Sequence, residues 1–210
     1  MPDLSTLLLF LSASFILIVV PGPTIALIIA KSIAQGTKVA LPMIAGIALG
    51  GTVAATLALA GVSALLMASA TAFNLLKIAG ALYLFYIGFK LITATPSVLS
   101  GQDTATLETP YQSFRDGFLV MVFNPKGIVF FAAFVPQFID QTLPYAPQAL
   151  VFVLGFVVTG MIVDTGSALL ASKAGEVIKS PSLQRRVSRV AGFTIIGAAF
   201  VTLLSKRPQF

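Results

Sequence analysis

Apolar residues along this chain run in blocks of membrane length, longer than the short alternations or three-and-four spacings of a soluble core. Six stretches reach or approach the roughly 20 apolar residues that cross a bilayer core, at positions 4–30, 39–67, 72–92, 114–138, 149–171 and 187–204. They predict an all-α polytopic membrane protein with six transmembrane helices. The sixth is short, and Arg189 near its start must extend to the interface. Two of the six are interrupted, the first by Pro21-Gly22-Pro23 and the fourth by Asn124-Pro125-Lys126.

Proline lacks an N–H and clashes with the preceding turn, so a mid-span proline leaves backbone groups unpaired. In lipid such groups survive only when packed in protein or lining a wet cavity. A matched pair of interrupted spans, one per half, is the pattern that marks a substrate site in secondary transporters. The halves superpose in sequence. A shift of 102 residues lays Gly22-Pro23 on Asn124-Pro125, Leu17 on Leu119 and Gln35 on Gln137, and a shift of 112 lays Lys77-Ile78-Ala79-Gly80 on Arg189-Val190-Ala191-Gly192. Three spans per half is an odd number, so the halves enter the membrane from opposite sides as an inverted repeat with broken helices 1 and 4. The expected division is residues 1–92 for the first three-helix repeat, 93–113 for a cytoplasmic linker and 114–210 for the second repeat.

Charge refines the picture without changing its class. Hydrophobic residues make up 57% of the chain and charged residues 10%, so the net charge of +6 belongs to the flanks of apolar spans. It sets orientation there and does not imply nucleic acid. The connections after spans one, three and five hold Lys31, Lys38, Lys90, Arg115, Lys173, Lys179, Arg185, Arg186 and Arg189, whereas those after two and four hold no Lys or Arg. The first set is therefore expected in the cytoplasm, with both termini outside, and Lys206 and Arg207 run against the rule. Met1-Pro2-Asp3-Leu4 lacks the positive region of a signal peptide, so the first apolar run is read as a retained span. Residues 93–110 are rich in Ser, Thr and Pro and carry Asp103 and Glu108, which reads as a mobile, solvated tether.

Candidate chemistry sits at the breaks and at three ionisable residues in or near the spans: Lys77, Lys126 and Asp164. Asn124 suits a helix cap and Pro125 a first helical position, with Gly22 and Pro23 as a weaker counterpart. The amides of Thr24 and Ile25, and of Lys126, Gly127 and Ile128, then face a cavity, and helix N-termini attract anions. A substrate carboxylate is the natural guest, held first by the Asn124 break, with Pro21, Gly22, Pro23 and Thr24 as the opposite wall. A simple proline kink is the plainer alternative. Asp164 is read as a proton carrier, as a counter-ion for a substrate ammonium, or as a structural partner of Lys126 or Lys77. Lys126 either adds charge to an anion site or extends to the interface; Lys77 is read as extending there. Gly46 and Gly50, Gly80 and Gly88, and Gly192 and Gly197 suit close helix packing inside one protomer, with a homodimer left open. Phe130, Phe131 and Phe134 are expected to face lipid. The chain has no Cys and no His, which removes disulfides, thiolate metal sites and imidazole relays, and no cofactor is expected.

These residues resemble the LysE/RhtB family of amino-acid exporters. The similarity rests on Pro21-Gly22-Pro23, on Lys77-Ile78-Ala79-Gly80-Ala81-Leu82-Tyr83-Leu84 with Gly88, on Phe114 to Gly117 ahead of Asn124-Pro125-Lys126, on Pro136-Gln137-Phe138, and on Asp164 and Gly192 in the last two spans. It covers nearly the whole chain. The resemblance implies export of amino acids or close derivatives from the bacterial cytoplasm across the inner membrane, driven by protons, and no enzymatic reaction. With Asp164 as the one intramembrane acid, a neutral or weakly polar amino acid is favoured over a dibasic one. The alternative is a cation or metal-ion transporter of the same superfamily shape, which the lack of His, Cys and an intramembrane acid cluster disfavours. An intramembrane enzyme lacks catalytic tools here, and a non-transporting scaffold leaves the two breaks unexplained.

Overall fold

The computed structural model describes residues 2–20, 22–59, 70–93, 108–124, 126–127, 130–131, 135–140, 142–177 and 180–204. Seven α-helices and one 3-10 turn account for most of them, and no strand occurs among the described residues. In chain order the helices are α1 (Leu4–Val19), α2 (Pro23–Gln35), α3 (Thr37–Leu59), α4 (Ala70–Thr93), α5 (Pro110–Val122), α6 (Tyr145–Val177) and α7 (Pro181–Leu204), with the 3-10 turn at Val135–Phe138 before α6.

Local chemistry accounts for the helix ends. Asp3 caps α1 by accepting from Thr6 N at 2.7 Å, and that bond to the backbone amide, with those to Ser5 and Thr6 hydroxyls, holds its carboxyl below the usual range. Thr109 opens α5 with a capping box, its hydroxyl accepting from Gln112 N while Gln112 Oε1 accepts from Thr109 N. Between α2 and α3 the chain turns at Gly36, whose φ of 73° lies in the left-handed region that glycine enters without a Cβ clash.

Among the described residues, α3 and Tyr145–Gly175 of α6 are each long and apolar enough to cross a membrane, and α1 with α2, bent by 56°, makes a third if the pair is one broken span. The six-span expectation is therefore met in part. Residues 60–67 of the second expected span lie outside the described residues. Helix α5 is only 13 residues long and carries Arg115 and Asp116, while α7 opens with Arg185, Arg186 and Arg189, so composition does not qualify either one alone.

Packing centres on α2, whose first six residues, Pro23 to Ile28, are all buried. It contacts α3, α5, α6 and α7, while α3 lies along α5 and α4 lies along α7. Glycine lets the last two pairs approach. A Cβ on Gly46 would overlap the Phe114 carbonyl, one on Gly117 the Met43 carbonyl, and one on Gly88 would come within 2.8 Å of Gly192 O. Packing within one chain, as expected of these glycines, is what they do. Gly197 differs, being exposed with open space around it.

One expectation is corrected here. Phe130 and Phe131 do not face lipid; they are 6% and 0% exposed. They join Phe10, Phe138, Phe152 and Phe156 in one aromatic cluster, with ring centroids 4.7 Å apart for both Phe10–Phe152 and Phe131–Phe156. Buried rings gain contact area and edge-to-face attraction that lipid tails do not match in geometry. Phe134 lies outside the described residues.

The glycine seam supplies a direct test. Gly46→Ala should lower stability by about 1–3 kcal/mol through overpacking, whereas Gly197→Ala should be neutral or gain up to about 1 kcal/mol of helix propensity. Thermal unfolding of the two variants in detergent checks the contrast.

Candidate functional site

Both broken regions and Asp164 meet around one cavity. Its lining includes Leu17 and Ile18 from α1, Thr24 from α2, Ile47 and Gly51 from α3, Met121 from α5, Asn124, Lys126 and Gly127 from the second break, and Phe156 and Asp164 from α6. The cavity holds about 40 Å³, room for roughly three water molecules and less than an amino acid needs. Its polar lining residues are Thr24, Asn124, Lys126 and Asp164, and the rest of the lining is apolar. Pro21 and Pro125, expected at the site, lie outside the described residues, as does the side chain of Lys77.

Around the second break, Asn124 is buried and its Oδ1 accepts from Lys126 N at 3.0 Å. The cap forms as Asn at this position favours, and it uses the Lys126 amide expected to face the cavity. The Lys126 side chain reaches across the chain to donate to Leu17 O at 2.7 Å and Val20 O at 2.8 Å. These carbonyls belong to the last turn of α1, where helical partners run out. A lysine from the second break thus closes the first. Gly22 makes room for it, since a Cβ there would lie 3.3 Å from Lys126 Nζ. At the start of α2, Gly22 is extended and supplies no side-chain cap, so the first turn of that helix has no capping side chain over the cavity.

Asp164 is 4% exposed and its Oδ1 has no hydrogen-bond partner among the described residues. The ion pairs found there do not include it, so the expected structural pair with Lys126 is not formed within 4 Å. A buried carboxylate oxygen left without a donor is costly, and a proton or a cation removes that cost.

A second polar group was not visible as such in the sequence. Asp116 is fully buried and accepts from Lys31 Nζ at 3.0 Å, Arg115 Nη2 at 3.1 Å and Tyr83 OH at 3.3 Å. Glu108 pairs with Lys31 and with Lys90 Nζ at 2.8 Å, and also accepts from Ser113 Oγ while its own N donates to Gln35 Oε1. Three expectations change. Lys31 is a residue of α2, 5% exposed, and not part of a solvated connection. Glu108 is an anchored acid and not part of a free tether, whereas 94–107 lie outside the described residues. Asp164 is not the one acid in the bundle interior. The available signal was Asp116 itself, an acid beside Gly117 at the head of an apolar run. Burial works to raise the Glu108 pKa, but the charges and hydrogen bonds of Lys31 and Lys90 outweigh it and hold the carboxyl below its ordinary 4.5.

Comparison with known proteins places the chain in context. The model of the LysE type translocator family matches residues 15–206. A protein of Vibrio cholerae serotype O1 described as an uncharacterized membrane protein is 31% identical over 210 residues, covering 97% of this chain and 99% of its own. The homoserine/homoserine lactone efflux protein of Salmonella typhimurium is 32% identical over 191 residues, 90% of this chain and 92% of its own. The leucine efflux protein of Klebsiella pneumoniae is 29% identical over 194 residues, 92% and 90% respectively. No solved structure matches the chain.

Two outcomes follow from this geometry. Lys126→Met should destabilise the protein by about 1–3 kcal/mol for each α1 carbonyl it leaves bare, read as a lower unfolding temperature in detergent than that of Lys126→Arg. Because the folded-state pKa of Glu108 is depressed, its stabilising contribution is complete above pH 4.5 and is lost as pH falls through the lower folded value. The difference in unfolding temperature between the parent and Glu108→Gln should therefore be constant from pH 8 to about pH 5 and shrink below it.

Proposed function

Because the chain belongs to the LysE type translocator family, we propose that it is a secondary exporter, carrying amino acids or close derivatives across the bacterial inner membrane in exchange for protons. The observation that carries this reading is the convergence of two broken helices and an unpartnered buried carboxylate on one cavity. The efflux activities named for its Salmonella and Klebsiella relatives agree with it.

A wider form of this cavity, which here is smaller than an amino acid, would receive the two ends of the substrate at different residues. The substrate carboxylate lies at the start of α2, where Gly22 leaves the amides without a side-chain cap, a helix N-terminus favours an anion, and Lys126 adds a positive charge. The substrate ammonium, or a proton in its absence, occupies Asp164. Ile18, Ile47, Met121, Phe156 and Val157 then surround the side chain, which suits a neutral, largely apolar amino acid. This arrangement shifts the carboxylate from the Asn124 break, whose cap is already used within the chain, to the Gly22 break. Gly127 lines the same cavity, and Pro23 opens α2 next to it.

The path of the chain supports six spans in two inverted repeats. The first span packs on the fifth through α1 and α2 against α6, as the fourth packs on the second through α5 against α3; the second and fifth touch each other, and so do the third and sixth. A two-fold axis in the membrane plane produces this pairing and exchanges the α3–α5 pair with α1, α2 and α6, and rocking one of these bundles against the other gives alternating access. Gly175 near the end of α6 packs on Ile33 near the end of α2, and Lys31 of α2 and Lys90 of α4 both pair with Asp116 of α5. The basic connections thus share one end of the bundle, the cytoplasmic end by the positive-inside rule, with both termini at the other.

Counterflow in proteoliposomes against a panel of amino acids and divalent metals, with and without a pH gradient, tests the reading. Neutral amino acids should exchange and be driven by the gradient; metal flux without amino-acid flux would sink it. In Asp164→Asn, pH-driven transport should fall by about tenfold to a hundredfold, the size of a lost charge-assisted hydrogen bond.

A further inference from the structure

The ion cluster at Asp116 joins opposite halves of the chain. Its first-half members are Lys31 and Gln35 of α2 and Tyr83 and Lys90 of α4; the acids, Glu108 and Asp116, come from the segment that opens the second half. Resting on the alternating-access reading above, we propose that Lys31, Lys90, Glu108 and Asp116 form the gate that closes the substrate cavity toward the Lys31 end of the bundle, and that these pairs part once in every transport cycle.

Position is the first argument. Thr24 lines the cavity and Lys31 follows it seven residues later on the same buried helix, so the cluster lies about 10 Å along the axis from the cavity at 1.5 Å per residue. On that side α3 and α5 meet backbone to backbone at Gly46 and Gly117, which leaves no passage between them. The second argument is asymmetry. Every ion pair found among the described residues lies at the Lys31 end. At the opposite end, the start of α1, the 3-10 turn and the segment from Asp140 to Gln148 border a cavity of about 660 Å³. That cavity shares no lining residue with the substrate cavity, and no ion pair among the described residues ties that end of the bundle.

The chemistry of the contact fits a bond that must break. A buried ion pair adds little net stability, because desolvation offsets most of the attraction, and a well-packed apolar contact would hold the helices at least as well. The two differ on opening. Separated charges regain their hydration, whereas a separated apolar seam exposes hydrophobic surface to water. Water also has an entry point, since the Lys90 side chain is 46% exposed beside the fully buried Asp116. With both acids on or just before α5 and both lysines on α2 and α4, the pairs can part while the backbone seam between α3 and α5 stays closed.

A thiol-accessibility experiment tests the gate, and the natural lack of cysteine means that one introduced thiol reports alone. Ala48→Cys places it on the cavity wall. A membrane-impermeant charged maleimide is applied to inside-out and right-side-out vesicles. In the parent background labelling should be slow from the Lys31 end and faster from the other. Lys90→Glu, a change at a half-exposed side chain that sets an acid against Glu108 and Asp116, should speed labelling from the Lys31 end by about tenfold and slow it from the opposite end, as a population shift requires; Lys90→Arg should match the parent. Unchanged labelling in Lys90→Glu would overturn the gate, and so would faster labelling from both ends, which would make the cluster a general structural support. The readout needs no substrate, so a failure of amino-acid counterflow and a failure of the gate are separate results.

Discussion

Backbone groups freed at a helix break have no water to turn to in hydrocarbon, and the way this protein satisfies them organises the rest of the molecule. The last turn of α1 ends at Val19, and the carbonyls of Leu17 and Val20 are met by Lys126 Nζ from the other break. That contact ties two segments more than 100 residues apart into one site. It also fits the surroundings: Gly22 leaves the lysine tip room, Asn124 caps its own turn, and α2 starts beside the cavity. The pieces that look like candidates for substrate binding are largely the pieces that keep the breaks closed. Asp164 Oδ1, the buried carboxylate oxygen that has no partner among the described residues, is correspondingly informative.

The bundle uses two kinds of helix contact with different mechanical consequences. Where α3 meets α5 and α4 meets α7, glycines bring backbones together, and such seams tolerate little sliding because a gap forfeits dispersion contacts on both sides. Where the α2 and α4 ends meet Glu108 and Asp116, the contact is ionic, directional and capable of solvation. Because the α3–α5 seam joins the two repeats, it moves as one unit, and a separable polar contact between α5 and the ends of α2 and α4 leaves that unit free to rock against α1, α2 and α6. In this fold the rigid α3–α5 seam runs between the cavity and the polar cluster, so movement at one is transmitted to the other.

Much was legible in the linear pattern because the bilayer imposes simple rules on it. Apolar length and the proline breaks located helices, including the division of the first span into α1 and α2, and Asn124 behaved as its local capping chemistry dictates. Glycine spacing gave Gly46, Gly50 and Gly88 their role as contact points. Asp164 stood out because a lone acid inside an apolar run has no local explanation. The missing acid was Asp116. Next to Arg115 and close to a predicted span end, it reads as an interfacial residue, and nothing along the chain shows that Lys31, 85 positions away, will bury it. The same holds for Glu108, whose low-complexity neighbours suggest a tether.

By itself, then, the sequence determined the class, the helices, the breaks and the residues that cannot rest comfortably in lipid, since these depend on local backbone chemistry and on transfer from water to hydrocarbon. The tertiary structure alone decided partners: that Lys126 closes α1, that Phe130 and Phe131 turn inward to Phe10 and Phe156, and that Lys31 and Lys90 leave their role as orienting charges to clasp two acids. Partnership of a long side chain is set by which helices the fold brings within a few ångströms, and that distance is not a property of any segment taken alone.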